Sequence, residues 1–191
     1  LLLLLAQLPA AAALHAYGHA FSRPGDFSDA QIAAIARRFE VFTVEKSTAE
    51  DAYGRNSSIA ATVGTARRIK ALNPSVHVLM YWNAALHYGT YECESAVQPI
   101  FLLPGPHQPY YNYSEPAFRA WWVQCAVDAV QASGGLLDGL FLDATPKVAN
   151  GDCGGAGAEQ MALWQAMVGE LRAALGPAAV IIDNGFFLAG R

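Results

Sequence analysis

A chain of 191 residues that is 53% hydrophobic and only 15% charged can bury a sizeable core, which excludes a disordered tail and fits one domain or part of one. Its formal net charge of −4 offers no basic stripe, so neither nucleic acid nor an anionic membrane surface is expected as a partner. A neutral or weakly charged ligand fits better.

Residues 1–5 are all leucine, and alanine dominates the run up to Ala13-Leu14-His15-Ala16. An apolar run of this length ending in small residues reads as a secretory h-region, so residues 1–16 are expected to be part of a signal peptide that lacks its Met and basic flank. A short apolar strand or helix of the mature domain is the alternative. No later stretch approaches the roughly 20 apolar residues of a membrane span. The expected location is therefore the secretory pathway or the exterior, with residues 17–191 as the folded part.

His15, Tyr17 and His19 alternate as in a strand over residues 15–21, which leads into the loop Ser22-Arg23-Pro24-Gly25-Asp26. Ser28 can cap a helix whose apolar stripe includes Ile32, Ile35, Ala36 and Phe39. A second strand over 41–45 ends in Glu45-Lys46. After a polar, turn-rich stretch, Ser57 or Ser58 starts a helix with Ile59, Val63, Ala66, Ile69 and Leu72 on one face, stopped by Asn73-Pro74. The third strand, residues 76–82, carries Tyr81, Trp82 and Asn83 at its end.

Residues 84–113 show no sustained period and exceed an ordinary βα loop, as lids and binding surfaces do. Tyr88, Tyr91, Tyr110, Tyr111 and Tyr113 in this segment could stack on sugar rings or pack the loop onto the fold. Ser114 is expected to cap the next helix, with Pro116 in its first turn and Ser133-Gly134-Gly135 at its end. The fourth strand, residues 137–143, is apolar on both faces, as in a buried parallel sheet, and delivers Asp143 at its C-terminal end. Capping of the next element or pairing with a surface cation is the bland alternative for this carboxylate. Residues 147–157 read as a glycine-rich loop without the spacing of a phosphate cradle. A helix over 159–175 and a strand over 179–183 ending in Asp183-Asn184-Gly185 complete the pattern.

Five alternating strand and helix units predict an α/β fold with a parallel sheet, and polar groups at successive strand ends favour a (β/α)8 TIM barrel over a doubly wound sheet. A whole barrel needs roughly 250 residues, so the first five units of a C-terminally truncated barrel are expected. The sequons Asn56-Ser57-Ser58 and Asn112-Tyr113-Ser114 suggest a glycoprotein. Cys93 and Cys153, both in loops at one pole, are expected to form a disulfide, leaving Cys125 buried on a helix. The cysteines show no metal-ligand spacing, and His15 and His19 lack further histidine partners, so neither metal nor cofactor is expected.

Tyr-Gly near the first strand, Glu45-Lys46, Tyr81-Trp82-Asn83, the strand Asp138-Gly139-Leu140-Phe141-Leu142-Asp143 and Asp183-Asn184-Gly185 come in an order that resembles the glycosyl-hydrolase-like TIM-barrel family. That family is distantly related to the α-amylase and α-galactosidase barrels and the endo-α-1,4-polygalactosaminidases. The resemblance implies a (β/α)8 fold and hydrolysis of O-glycosidic bonds in an oligo- or polysaccharide, with Asp143 as nucleophile or catalytic carboxylate. Glycoside hydrolysis takes two carboxyl groups. Glu45 and Asp183 are the candidates for the second within the chain, unless the general acid lies beyond residue 191. Glu45, Tyr81, Trp82, Asn83 and Asn184 are expected to bind substrate; for Glu45 an ion pair with Lys46 or a nearby Arg is the alternative. A noncatalytic carbohydrate-binding barrel would keep the aromatic rim and dispense with the acid.

Overall fold

The computed structural model of the protein describes residues 16–185. The expected leader, Ala16 excepted, and His15 lie outside the described residues.

The elements run β1 (Tyr17–Ala20), α1 (Asp29–Arg38), β2 (Val41–Val44), α2 (Glu50–Tyr53), α3 (Ser58–Leu72), β3 (His77–Asn83), β4 (Leu102–Leu103), β5 (Tyr110–Tyr111), α4 (Pro116–Ala132), β6 (Gly139–Asp143), α5 (Thr145–Ala149), α6 (Gly157–Leu175) and β7 (Val180–Asp183). Five strands form one parallel sheet in the order β1-β2-β3-β6-β7, the sequential order expected from the alternating pattern. A doubly wound sheet would reverse direction from its first strands, whereas successive barrel strands do not.

Period two separates the two faces of this sheet. Phe42 meets Phe27 and Phe39, Trp82 meets Trp122 of α4, and Trp164 of α6 donates to Asp183, so these positions face the helices. The alternate positions Tyr17, His19, Tyr81 and Phe141 contact one another on the other face. The core between sheet and helices is continuous, with Val78, Met80, Trp82, Leu140 and Leu142 all at or below 1% exposure.

Local chemistry explains the element starts. Ser28 caps α1 through a reciprocal pair of bonds, its Oγ accepting from the Gln31 N–H and its own N–H donating to Gln31 Oε1. At α4 the cap is Glu115, not Ser114: Pro116 occupies the first helical position, so the residue just before it accepts the Ala117 N–H at 3.0 Å. Ser114 Oγ donates instead to the Gly154 carbonyl. The 84–113 loop contains two 3-10 turns and the small antiparallel pair β4–β5. In the stretch after β6, α5 takes up part of the segment expected as loop.

The expected Cys93–Cys153 bridge is replaced by Cys93–Cys125, with Cα atoms 6.3 Å apart. Cys93 sits in the 3-10 turn Glu92–Ala96, which meets the flank of α4, so a helix rather than the neighbouring loop presents its partner. Cys153 is buried as a free thiol, and that burial, with the Asp152 charge, pushes its pKa up to about 12.

The strand motif Asp138-Gly139-Leu140-Phe141-Leu142-Asp143 works at both ends. Asp138 Oδ2 accepts the Val78 N–H at 2.7 Å and pairs with Lys70 at 2.9 Å, tying the starts of β3 and β6 together. Gly139 lets β7 approach: a Cβ there would lie 1.8 Å from the Val180 carbonyl oxygen. Asp143 stands at the opposite pole.

Candidate active site

The parallel register places Asn83 beside Asp143 and Tyr81 beside Phe141, and the Asn184 N–H continues the β7 ladder by donating to the Leu142 carbonyl. Three strand ends thus converge on one carboxylate. Tyr81 donates to Asp143 Oδ2 at 2.5 Å, and Asn184 Nδ2 donates to Asp143 Oδ1 at 2.8 Å. Ala144 follows in the left-handed region with φ 68°, a conformation uncommon for a residue with a Cβ, where the chain turns from β6 into α5.

The direction of the Tyr81 proton follows from its neighbours. Asn83 Oδ1 accepts the Ala85 and Leu86 N–H groups, which leaves its amide nitrogen to donate to the Tyr81 oxygen at 2.8 Å. The Tyr81 hydroxyl is thereby filled as an acceptor and turns its own proton onto Asp143. Asn83 is 1% exposed, so it acts through Tyr81 rather than on a ligand.

Burial alone would push the Asp143 carboxyl up, but the bonds from Tyr81, Asn184 and the Ala144 N–H, with the Lys46 charge, outweigh it and hold the group below the usual carboxylate range. Asp143 is an ionised, half-buried carboxylate. The Tyr81 phenol moves the other way, raised first by burial and then by its bond to Asp143.

Glu45 lies at the end of β2, next to this cluster. Its Oε1 takes the Lys46 ammonium at 2.6 Å, and the His19 imidazole lies 3.7 Å from Oε2. Burial raises its pKa, but the His19 and Lys46 interactions prevail and lower it. The ion pair with Lys46 is therefore present. Lys46 Nζ also sits 4.3 Å from the Tyr81 ring centre and 4.6 Å from that of Tyr88, bridging the carboxylates and the long loop.

The structure brings together Asp143, Tyr81, Asn184, Asn83 and Glu45, and it separates two expected residues from them. Trp82 is 1% exposed and lies 4.1 Å from the Tyr91 ring on the helix-facing side, because neighbours in a strand point to opposite faces. It does not line the site. Asp183 also faces the helices, accepting from Thr145 Oγ1 at 2.6 Å and Trp164 Nε1 at 3.0 Å, which removes it as a second carboxyl. Lys46, His19 and Phe141 join the site beyond the residues expected from the sequence. The alternation Tyr17, His19 and Phe141, Asp143 was the signal for the last two.

Among the described residues no cluster of His, Cys, Asp and Glu could hold a metal ion, and no helix is long and apolar enough to cross a membrane.

No protein-family model matches the chain, and neither does any curated protein. Solved structures do resemble it. Ega3 of Aspergillus fumigatus, in complex with galactosamine, matches with a TM-score of 0.56 at 14% identity over 86% of this chain and 57% of its own. The glycoside hydrolase domain of Pseudomonas aeruginosa PelA matches with 0.56 at 14% identity over 91% and 60%. The α-amylase of Geobacillus thermoleovorans, complexed with acarbose, matches with 0.58 at 9% identity over 91% and 47%. These neighbours are glycoside hydrolases. At such identities the likeness is one of fold, and the chain spans about half to three-fifths of each of them.

Proposed function

We propose that the protein is a glycoside hydrolase acting on O-glycosidic bonds of an oligo- or polysaccharide, with Asp143 as its catalytic carboxylate and the five-stranded sheet as the first part of a (β/α)8 barrel. The observation that carries this is the held carboxylate itself. Asp143 is kept ionised at a strand's C-terminal end by Tyr81 and Asn184, half-buried, with Tyr88 close enough to feel its charge. Catalytic groups of α/β barrels sit at that pole, and an ionised carboxylate is what attacks or stabilises a developing oxocarbenium ion.

The second carboxyl is a separate matter. A general acid must start protonated, and Glu45 is held ionised by Lys46. Its role is to fix Lys46 against Tyr81, which leaves the general acid unassigned among the described residues. Were no such acid supplied, the same cleft would serve a noncatalytic carbohydrate-binding protein; the pairing of Glu45 is the observation that keeps this second reading in play.

A secretory location is supported by the Cys93–Cys125 bridge, since disulfides persist in oxidising compartments, and by the Asn56 sequon, which lies in an exposed turn.

The deciding experiment is turnover by the wild-type protein and Asp143→Asn on a panel of galactosamine oligosaccharides and α-linked glucans. The substitution keeps the shape and removes the charge. A loss of about three orders of magnitude or more on any responsive glycan supports the reading. Undiminished turnover by a folded variant would move the active site elsewhere.

A further inference from the structure

We propose that the cavity between the 84–113 loop and α5 is a second sugar-binding subsite adjoining Asp143, so that the protein grips a chain of sugars and not a single ring; this rests on the carbohydrate reading above. The cavity measures about 350 Å³, and Tyr88, Tyr110, His107, Gln108 and Lys147 are among its lining residues. That volume falls within the ~300–1,000 Å³ typical of small-molecule sites.

The tyrosines of the loop divide into two sets. Tyr91, Tyr111 and Tyr113 are at most 1% exposed. Each spends its hydroxyl on the fold: Tyr91 accepts the Asn83 N–H, Tyr111 donates to Glu94, and Tyr113 donates to the Ala84 carbonyl. Tyr88 and Tyr110 stay partly exposed, and both line the cavity. Packing the loop onto the sheet uses the first set and leaves the second unexplained. An aromatic face beside polar groups is what binds a sugar, whose C–H face stacks on the ring while its hydroxyls take the donors.

Continuity with Asp143 runs through Tyr88 and Lys46. Lys46 Nζ lies 4.6 Å from the Tyr88 ring and 4.3 Å from the Tyr81 ring, and the Tyr81 hydroxyl is on Asp143. Tyr88 thus forms a wall common to both sites. On the far side Lys147 Nζ sits 5.7 Å from the Tyr110 ring centre, and among the described residues no carboxylate pairs with it. Its ammonium is available to sugar hydroxyls.

The walls are also held in place. Tyr110 pairs with Leu103 in the β4–β5 ladder and bridges to Leu86, while the His87 N–H donates to the Pro109 carbonyl at 2.9 Å. A site built before the ligand arrives loses less entropy on binding.

The test measures affinity against chain length. In an Asp143→Asn background, to prevent cleavage, calorimetry would follow binding of α-1,4-linked galactosamine and glucose saccharides of one and five residues. Tyr110→Leu and Lys147→Gln are each expected to weaken five-residue binding by about tenfold and leave one-residue binding unchanged. Should either variant misfold, amide shifts around Tyr110 and Lys147 in the Asp143→Asn protein serve instead: they are expected to move with the five-residue saccharide and not with the single sugar. Equal losses at both lengths, no loss at either, or shifts that ignore length would overturn this subsite and leave the carbohydrate reading standing. No binding of any saccharide would overturn both.

Discussion

Tyr81 and Asp143 share a 2.5 Å hydrogen bond across the β3–β6 pair, and the direction of its proton is set by Asn83 on the far side of the phenol. The site is therefore a chain of three side chains from two strands, ending on a carboxylate that Asn184 grips from a third. Each link has a measurable consequence.

Removing the middle link isolates its effect. Tyr81→Phe keeps the ring and its packing against Phe141 but takes away the donor. The Asp143 carboxyl then loses the largest of the interactions that lower its pKa, so its pKa rises. In the proposed hydrolase the acid limb of the kcat/KM profile shifts to higher pH. A hydrogen bond to a charged group is worth ~1.5–3 kcal/mol, so turnover falls roughly 10- to 100-fold at neutral pH. An unshifted acid limb in a folded Tyr81→Phe protein would show that the bond does not govern the carboxylate.

The cysteines give a prediction about stability. The Cys93–Cys125 bridge spans a sequence separation of 32 residues, and closing a loop of that length stabilises a fold by about 2–4 kcal/mol. Reduction, or the Cys93→Ser and Cys125→Ser double substitution, should lower the melting temperature, whereas Cys153→Ser should not reproduce that loss of a cross-link. Thiol titration of the unfolded, unreduced protein should count one free cysteine. Peptide mapping that joined Cys93 to Cys153 would contradict the structure.

Much of this arrangement was legible in the sequence, for physical reasons that also mark where legibility stopped. Apolar runs such as Val78-Leu79-Met80 and Leu140-Phe141-Leu142 can only be buried strands between helices, and groups that follow them must emerge at one pole. That is why Asp143, Glu45, Tyr81, Asn83 and Asn184 were found together. Period two already forbade Tyr81 and Trp82 from sharing a face, and likewise Asp183 and Asn184, so both misplacements were avoidable. The division of the loop tyrosines and the partner of Cys93 were not available from sequence. Both depend on how an irregular 30-residue stretch folds back on α4, which no short-range pattern encodes. Asp138 and Asp143 bound the same strand motif, yet only their position along the strand separates an anchor of β3 from a candidate catalyst.

Asp143 and Glu45 both have folded-state pKa values below their ordinary 3.8 and 4.5, because Tyr81 and Asn184 hold the one and His19 and Lys46 the other. A depressed carboxyl stabilises the fold at pH above its ordinary value, where the unfolded chain is also ionised. That contribution fades as pH falls through the ordinary value and is gone below the folded-state one. Melting temperature should therefore be level from neutral pH down to about pH 5 and decline beneath it. Asp143→Asn removes one of the two contributions, so its plateau should be lower and its decline shallower than those of the wild type, and Glu45→Gln should do the same while leaving Lys46 without its partner. Melting curves at half-unit steps between pH 7 and pH 3 would decide it: superimposable declines for wild type and Asp143→Asn would mean that the Tyr81 and Asn184 bonds do not hold the carboxylate ionised in solution.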